Sequence, residues 1–374
     1  MEGQLIANVD KLYKFSGAGN DFVVIDGRDG DVSQYREVAR IEALCKEFKT
    51  DGLMILGREM PGQAGHDGVA QAGSCVMADS DRPSVDFTME FYNPDGSGGM
   101  MCGNGGRCIV AFADYLGIKP SCHPDSPSCH PELAEGSYLF RAPDGLHTGE
   151  ILQRPEDGLW EVRIKMIDVH GVTPMLGGLF LNTGTRHFVK FVDDVEQVDI
   201  DKEGKALRWD PAFAPMGTNV NFVHVAPDGL HVRTFEKGVE GETLACGTGL
   251  TASAIAAYEI SRLRPSGSAR NDKNTFETES PTKPMSNTPV ISTKAGGDTP
   301  VISTRAGGDT PVISTKAGGD TPVISTKAEG RVEKSYRLRA RQDWLSVDFT
   351  AGADQTFTDV YLTGPARLVS VTQP

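Results

Sequence analysis

The sequence predicts an α+β fold made of two related halves, and two observations carry that expectation. Met101-Cys102-Gly103-Asn104-Gly105-Gly106-Arg107-Cys108 leads into residues 109–116, a run apolar almost all round that reads as a buried helix, with Gly117 as its stop signal. Ala245-Cys246-Gly247-Thr248-Gly249 leads in the same way into residues 250–260. One such copy would be a weak signal. Two copies, each opening a buried helix, point to halves that each deliver one cysteine. At a helix start, unpaired N–H groups and the helix dipole favour a thiolate or a bound carboxylate.

Bulk properties narrow the class. The 374 residues suffice for two domains with ample cores. A net charge of −14 and the lack of a basic stripe speak against a nucleic-acid surface. No apolar run approaches membrane-spanning length, and Met1-Glu2-Gly3-Gln4-Leu5 does not read as a secretion signal, so a cytoplasmic protein is expected. Seven cysteines without framework spacing argue against a disulfide scaffold.

Along the chain, residues 12–15 and 22–26 read as strands joined by Ser16-Gly17-Ala18-Gly19-Asn20-Asp21. The glycines allow a tight turn, and Asn20 at a strand end offers both a donor and an acceptor. Residues 38–45 have helical spacing with Cys45 on the apolar face, and 53–56 read as a buried strand. Residues 57–83 show no sustained period and read as a surface excursion; His66 and Cys75 within it receive no role. Residues 85–92 alternate as a strand and run into the turn Asn93-Pro94-Asp95-Gly96-Ser97. Ser121-Cys122-His123-Pro124 recurs as Ser128-Cys129-His130-Pro131, but this spacing matches no standard zinc pattern and reads as a low-complexity insertion. Residues 138–140, 149–152 and 160–164 read as further strands.

The second half opens with strand, turn and strand over 178–189, placing His187 at a strand start. A histidine there can meet a ligand or bond its own backbone, and the second is the simpler expectation. Residues 217–223 and 231–236 are two more strands. Glu236 ends the latter, and Lys237 opens the loop toward Cys246, so carboxylate, cation and cysteine share one connection. After the second buried helix, residues 264–335 change character. An 11-residue unit, Pro-Val-Ile-Ser-Thr-Lys/Arg-Ala-Gly-Gly-Asp-Thr, begins at Pro289, Pro300 and Pro311 and breaks off after Ala328 in a fourth copy from Pro322. Each unit has too few apolar residues to build a core, so a flexible or edge-attached insertion is expected rather than a solenoid. Residues 344–349 and 360–365 read as closing strands.

Taken in order, Phe15-Ser16-Gly17-Ala18-Gly19-Asn20-Asp21-Phe22, Asn93-Pro94-Asp95-Gly96-Ser97, the Cys102 motif, Gly217-Thr218-Asn219-Val220, Gly241-Glu242-Thr243-Leu244-Ala245-Cys246-Gly247-Thr248-Gly249 and Leu362-Thr363-Gly364-Pro365-Ala366 resemble the motifs of the diaminopimelate epimerases. The resemblance spans most of the chain outside about 58–83, 120–137 and 265–335. It implies an isomerase that inverts one α-carbon of LL-diaminopimelate to the meso form, a step toward lysine and cell-wall peptide, without cofactor or metal. It also implies a homodimer. The implied architecture is two pseudo-symmetric domains, each a curved mixed β-sheet wrapped around a central buried helix, with the active site in the inter-domain cleft. The first domain would be 1–168 with about 365–374, and the second 169–364, interrupted at about 265–335.

By position, the resemblance makes Cys102 and Cys246 the two catalytic acid/base groups. Asn20, Asn93 and Asn219 would hold the substrate, Gly103-Asn104 and Gly247-Thr248 would receive its carboxylate, and Glu236 matches the site glutamate. Three positions depart from the commonest pattern: Lys237 for arginine, Thr185-Arg186-His187 for Asn-Pro-His, and Gly52 for glutamine. A lysine cannot fork two bonds to a carboxylate as arginine does, so the far end of the substrate is where these changes bear. Thr185 and Lys237 are counted with the substrate-binding set and His187 as supporting it.

The chemistry suits the pattern. Inverting a stereocentre by proton transfer needs a base on one face and an acid on the other, and two cysteines can straddle the carbon. A helix start is expected to lower a thiol toward neutrality and to stabilise charge developing on the substrate carboxylate. Two other classes remain open on the residues alone: a related isomerase such as a proline racemase, and a redox protein in which Cys102 and Cys246 form a disulfide. Gly247-x-Gly249-x-x-Ala252 formally fits a dinucleotide fingerprint, but no acidic residue closes a following strand at the required distance.

Overall fold

A computed structural model of the chain describes residues 11–59, 84–99, 101–120, 136–263, 327–328, 331–341 and 343–373. The Cys-His pairs at 122–123 and 129–130, His66, Cys75 and almost all of the 11-residue repeats lie outside these residues.

In the first half, β1 (Leu12–Gly17) and β2 (Asn20–Asp26) form the expected hairpin, followed by α1 (Val38–Phe48), β3 (Leu53–Gly57) and β4 (Phe87–Tyr92). Then come α2 (Gly103–Tyr115), β5 (Ser137–Ala142), β6 (Gly145–Glu156) and β7 (Leu159–Lys165). The second half has β8 (Val169–His170), β9 (Thr173–Met175), β10 (Gly178–Asn182), β11 (Arg186–Phe191), the short α3 (Lys205–Arg208), β12 (Asn219–Ala226), β13 (Gly229–Glu236) and β14 (Gly241–Thr243). It continues with α4 (Gly247–Leu263), β15 (Lys327–Ala328), β16 (Arg331–Ala340), β17 (Asp343–Ala351) and β18 (Thr356–Thr372).

The two halves repeat one topology. From β1 to β7 successive pairings run antiparallel, parallel, antiparallel, parallel, antiparallel, antiparallel, with α2 between β4 and β5. The path β10, β11, β12, β13, β16, β17, β18 shows the same succession, with α4 between β13 and β16. The long β18 serves both. Its first part pairs with β17 and β8, and its second part lies between β7 and β1. In the first half this closes the sheet into a ring around α2.

That enclosure explains the composition of α2. Every residue from Gly103 to Ala113 is buried, so no polar stripe is needed. Phe112 packs against Tyr13 and Phe15 with ring centroids 4.8 and 5.6 Å away, and a fully buried side chain of this size is worth about 1.5–3 kcal/mol. Gly117, at φ +72°, ends the helix as expected. By contrast α1 buries only Ile41, Leu44 and Cys45, against Val23, Ile25, Leu53 and Ile55 on the outer face of the sheet.

Two boundaries differ from expectation. Strand β16 begins at Arg331, inside the stretch assigned to the repeat insertion. Its buried positions, Tyr336, Leu338 and Ala340, alternate with Arg337 and Arg339, so its polar face hides a period of two beside low-complexity sequence. Strand β18 is also far longer than the expected 360–365, because it pairs with strands of both halves.

Candidate active site

Cys102 is the N-cap of α2. Its extended backbone (φ −102°, ψ 152°) turns the sulfur back over the first turn, where Sγ accepts the Gly105 N–H at 3.2 Å. Cys246 stands directly before α4 with 8% exposure, its Sγ 3.4 Å from the Thr248 hydroxyl. Both cysteines are free thiols.

The two helix starts meet. A Cβ on Gly247 would lie 3.4 Å from the Cα of Gly103, and one on Gly103 would lie 3.7 Å from the Cα of Gly247. Leu362 of β18 sits against both, within 2.9 Å of either added carbon. Only glycine leaves room for this approach, which accounts for the Cys-Gly pair in each copy. Asn104 ties the halves together, its Nδ2 donating to Asn20 Oδ1 at 2.6 Å and to the Ala245 carbonyl at 2.9 Å.

A second network supports Cys246. His187 is fully buried, and burial lowers its pKa to about 3, so the ring is neutral. Asn221 Nδ2 donates to His187 Nδ1 at 2.9 Å, while Asn221 Oδ1 accepts from Thr234 at 2.9 Å. Nδ1 is therefore the acceptor and Nε2 carries the proton, toward the hydroxyls of Thr185 and Thr248, each at 2.9 Å. The Thr248 hydroxyl, 3.1 Å from that of Thr185, joins this network to the Cys246 sulfur. His187 thus bonds side chains and not its own backbone, contrary to the simpler expectation, because it sits inward on β11 beneath the α4 start.

Burial corrects a second expectation. Both thiols titrate above the usual thiol range, not below it. At Cys246 burial is the largest cause, the Glu236 carboxylate adds to it, and the value rises to about 12. At Cys102 burial again dominates, opposed by the Gly105 N–H and the Arg107 cation. At these buried positions desolvation outweighs what the helix start supplies. Glu236 is itself raised by burial.

The other expected residues divide. Asn20, Gly103, Asn104, Thr185, His187, Asn219, Gly247 and Thr248 belong to the connected cluster. Asn219 donates to Thr185 at 3.4 Å and accepts from the Lys237 main-chain N–H at 2.7 Å. Lys237 joins through that N–H, its side chain exposed. Glu236 is linked to both thiols by its charge. Asn93 instead bonds Ser97 within its own turn, Nδ2 to Oγ at 3.0 Å. At Gly52 any side chain would press on the Tyr92 carbonyl and the Phe91 ring, at 2.8 and 2.9 Å. Arg107, Asn221 and Thr234 were not anticipated. The signals were there: a lone cation inside an apolar helix, and Asn219-Val220-Asn221, whose asparagines share one strand face.

Comparison with known proteins accords with this arrangement. The family model for diaminopimelate epimerase matches residues 179–281. The chain is 36% identical over 250 residues to the diaminopimelate epimerase of Flavobacterium psychrophilum, covering 66% of this chain and 80% of that protein. It is 39% identical over 249 residues to that of Aquifex aeolicus, covering 66% and 81%, and 34% identical over 257 residues to that of Chlorobaculum tepidum, covering 67% and 84%. With two cysteine-bearing helix starts brought together in one repeated topology, and relatives matched over most of their length, the chain belongs to the diaminopimelate epimerase family.

Proposed function

We propose that the chain inverts one α-carbon of diaminopimelate, LL to meso, by proton transfer between Cys102 and Cys246 without a cofactor. The observation that carries this reading is the head-on meeting of the two helix starts at Gly103 and Gly247. One sulfur, as thiolate, removes the α-proton, and the electron pair spreads into the adjoining carboxylate. The other sulfur, as thiol, delivers its proton to the opposite face. After one turnover the protonation of the pair is reversed. The first N–H groups of α2 and α4, which have no partner within their helices, receive the carboxylate as it gains charge. Closing the cleft excludes water from the carbanion-like state.

Two domains meet along β18 in this reading, 1–168 with about 365–374 and 169–364. The active unit is a homodimer in the cytoplasm, where the thiols stay reduced. No helix among the described residues is long and apolar enough to cross a membrane.

The test is incubation with LL-diaminopimelate in deuterated water with no added cofactor. Meso product carrying deuterium at the α-carbon is expected. Exchange into proline but not into diaminopimelate would move the assignment to another isomerase of this fold.

A further inference from the structure

Arg208 closes the short α3 and is only 5% exposed. A basic side chain is rarely buried so far unless it is paired. Two contacts account for it here. The guanidinium lies against Gly217, where an added Cβ would fall on Nη1, so the cation fills the space a side chain would need. Nη2 meets the Glu240 carboxylate at 3.3 Å. Nε has no partner among the described residues, which leaves Glu240 as the anion that matches the charge.

Both contacts belong to segments that build the site. Gly217, at φ +66°, stands two residues before Asn219 at the start of β12. Glu240 lies in the turn between β13 and β14, which leaves from Glu236 and leads on toward Cys246. That turn is folded on itself: the Glu240 N–H donates to the Glu236 carbonyl at 2.8 Å, and Glu240 Oε1 accepts from the Gly238 N–H at 3.2 Å. The same Oε1 faces Arg208, so one oxygen joins the cation to the turn. Glu240 is held at φ +55°, in the left-handed region where a residue with a side chain is uncommon. From the turn, the Lys237 N–H donates to Asn219 Oδ1 at 2.7 Å, and Asn219 donates to Thr185 at 3.4 Å.

We propose that Arg208 is a positioning residue that latches the 236–241 turn to the start of β12, so that Glu236 and Asn219 are held at the site as one unit. Among the described residues no contact joins Arg208 to either sulfur, so it acts through the turn. Its consequence for catalysis rests on the two-cysteine reading of the site, and deepens that reading by naming what fixes the groups around the substrate.

The experiment takes two readouts from the full-length chain. The first needs no substrate: amide hydrogen exchange, followed by mass spectrometry on peptides that carry 237–241. Glu240→Gln keeps an oxygen for the Gly238 N–H but removes the charge, so exchange there is expected to quicken about fivefold while β12 and β13 keep their rates. Arg208→Met should have the larger effect, and Arg208→Lys should restore part of the protection. The second readout is KM for LL-diaminopimelate, expected to rise about fivefold in Glu240→Gln with kcat within about twofold. A role confined to stability would lower the folded fraction, and with it the apparent kcat, without moving KM. Unchanged exchange at 237–241 in Glu240→Gln would overturn the proposal even if Arg208→Met does not fold. So would faster exchange with KM unmoved. A chain whose turn exchanges as expected but that never epimerises diaminopimelate would fail the functional reading and not the latch.

Discussion

The starts of α2 and α4 are the same device in two settings. Each places a cysteine before a glycine at the head of an enclosed helix, yet the support differs. Around Cys102 it is a main-chain N–H and a buried cation, drawn from α2 itself. Around Cys246 it is a chain of neutral groups, Thr234, Asn221, His187 and Thr248, drawn from three strands and the helix. A repeated topology therefore does not give two equal acids. It gives two equal positions with different neighbours.

The largest effects should come from the sulfurs. Cys102→Ser and Cys246→Ser are each expected to lower the epimerisation rate by roughly 10²–10⁴-fold or more, measured by chiral separation of product. Full activity in both variants would end the two-base reading, and full activity in one would reduce it to a single base.

Next comes Gly249→Ala, which tests the neutral chain behind Cys246. Its added carbon would fall on Asn221 Oδ1 and lie 3.3 Å from His187 Cε1. Overpacking of this kind costs about 1–3 kcal/mol of stability, and the displaced histidine should cost about tenfold in kcat. Unchanged kcat would show that the network holds the fold and not the thiol.

His187 also separates the halves in acid. Its folded value of about 3 lies below the ordinary 6.5, so its contribution to stability is complete above pH 6.5 and is lost as pH falls toward 3. The slope is up to ~1.4 kcal/mol per pH unit. Urea unfolding at pH 7 and pH 5 should show His187→Gln losing less stability over that interval than the unmodified chain. The smallest effect is expected at Lys237. With its side chain exposed, Lys237→Ala should raise KM only a few-fold and leave kcat unchanged, the mark of an interaction worth about 1 kcal/mol in ground and transition state alike.

Much of this architecture was legible in residue order because its signals are local. Apolar composition without a polar stripe revealed α2 and α4 as enclosed helices, and Gly117 marked where the first one stops. The Cys-Gly junctions marked where each of them begins. What stayed hidden was long-range. No local pattern announces that β16 joins β13 in parallel, since Arg337 and Arg339 read as solvated polar sequence until a sheet gives them a face. The proton affinities were misjudged for a related reason. A helix start is visible in sequence, whereas the opposing half that closes over it and removes water is not. Asn93 shows a further limit: a motif places a residue in a loop, but the Ser97 hydroxyl decides where its amide points.

The double allegiance of β18 bears on how the chain reaches its native state. Leu12 pairs with Thr372, so the ring around Cys102 has a gap until its most distant partner arrives. During synthesis the first half can collapse onto α2 but cannot seal, and it waits with two open edges, β1 and β7, while the whole second half is made. Such distant pairing makes for slow assembly and a long exposure to mispairing. The first half cannot be cut free as a self-sufficient unit, since without this strand it lacks a wall.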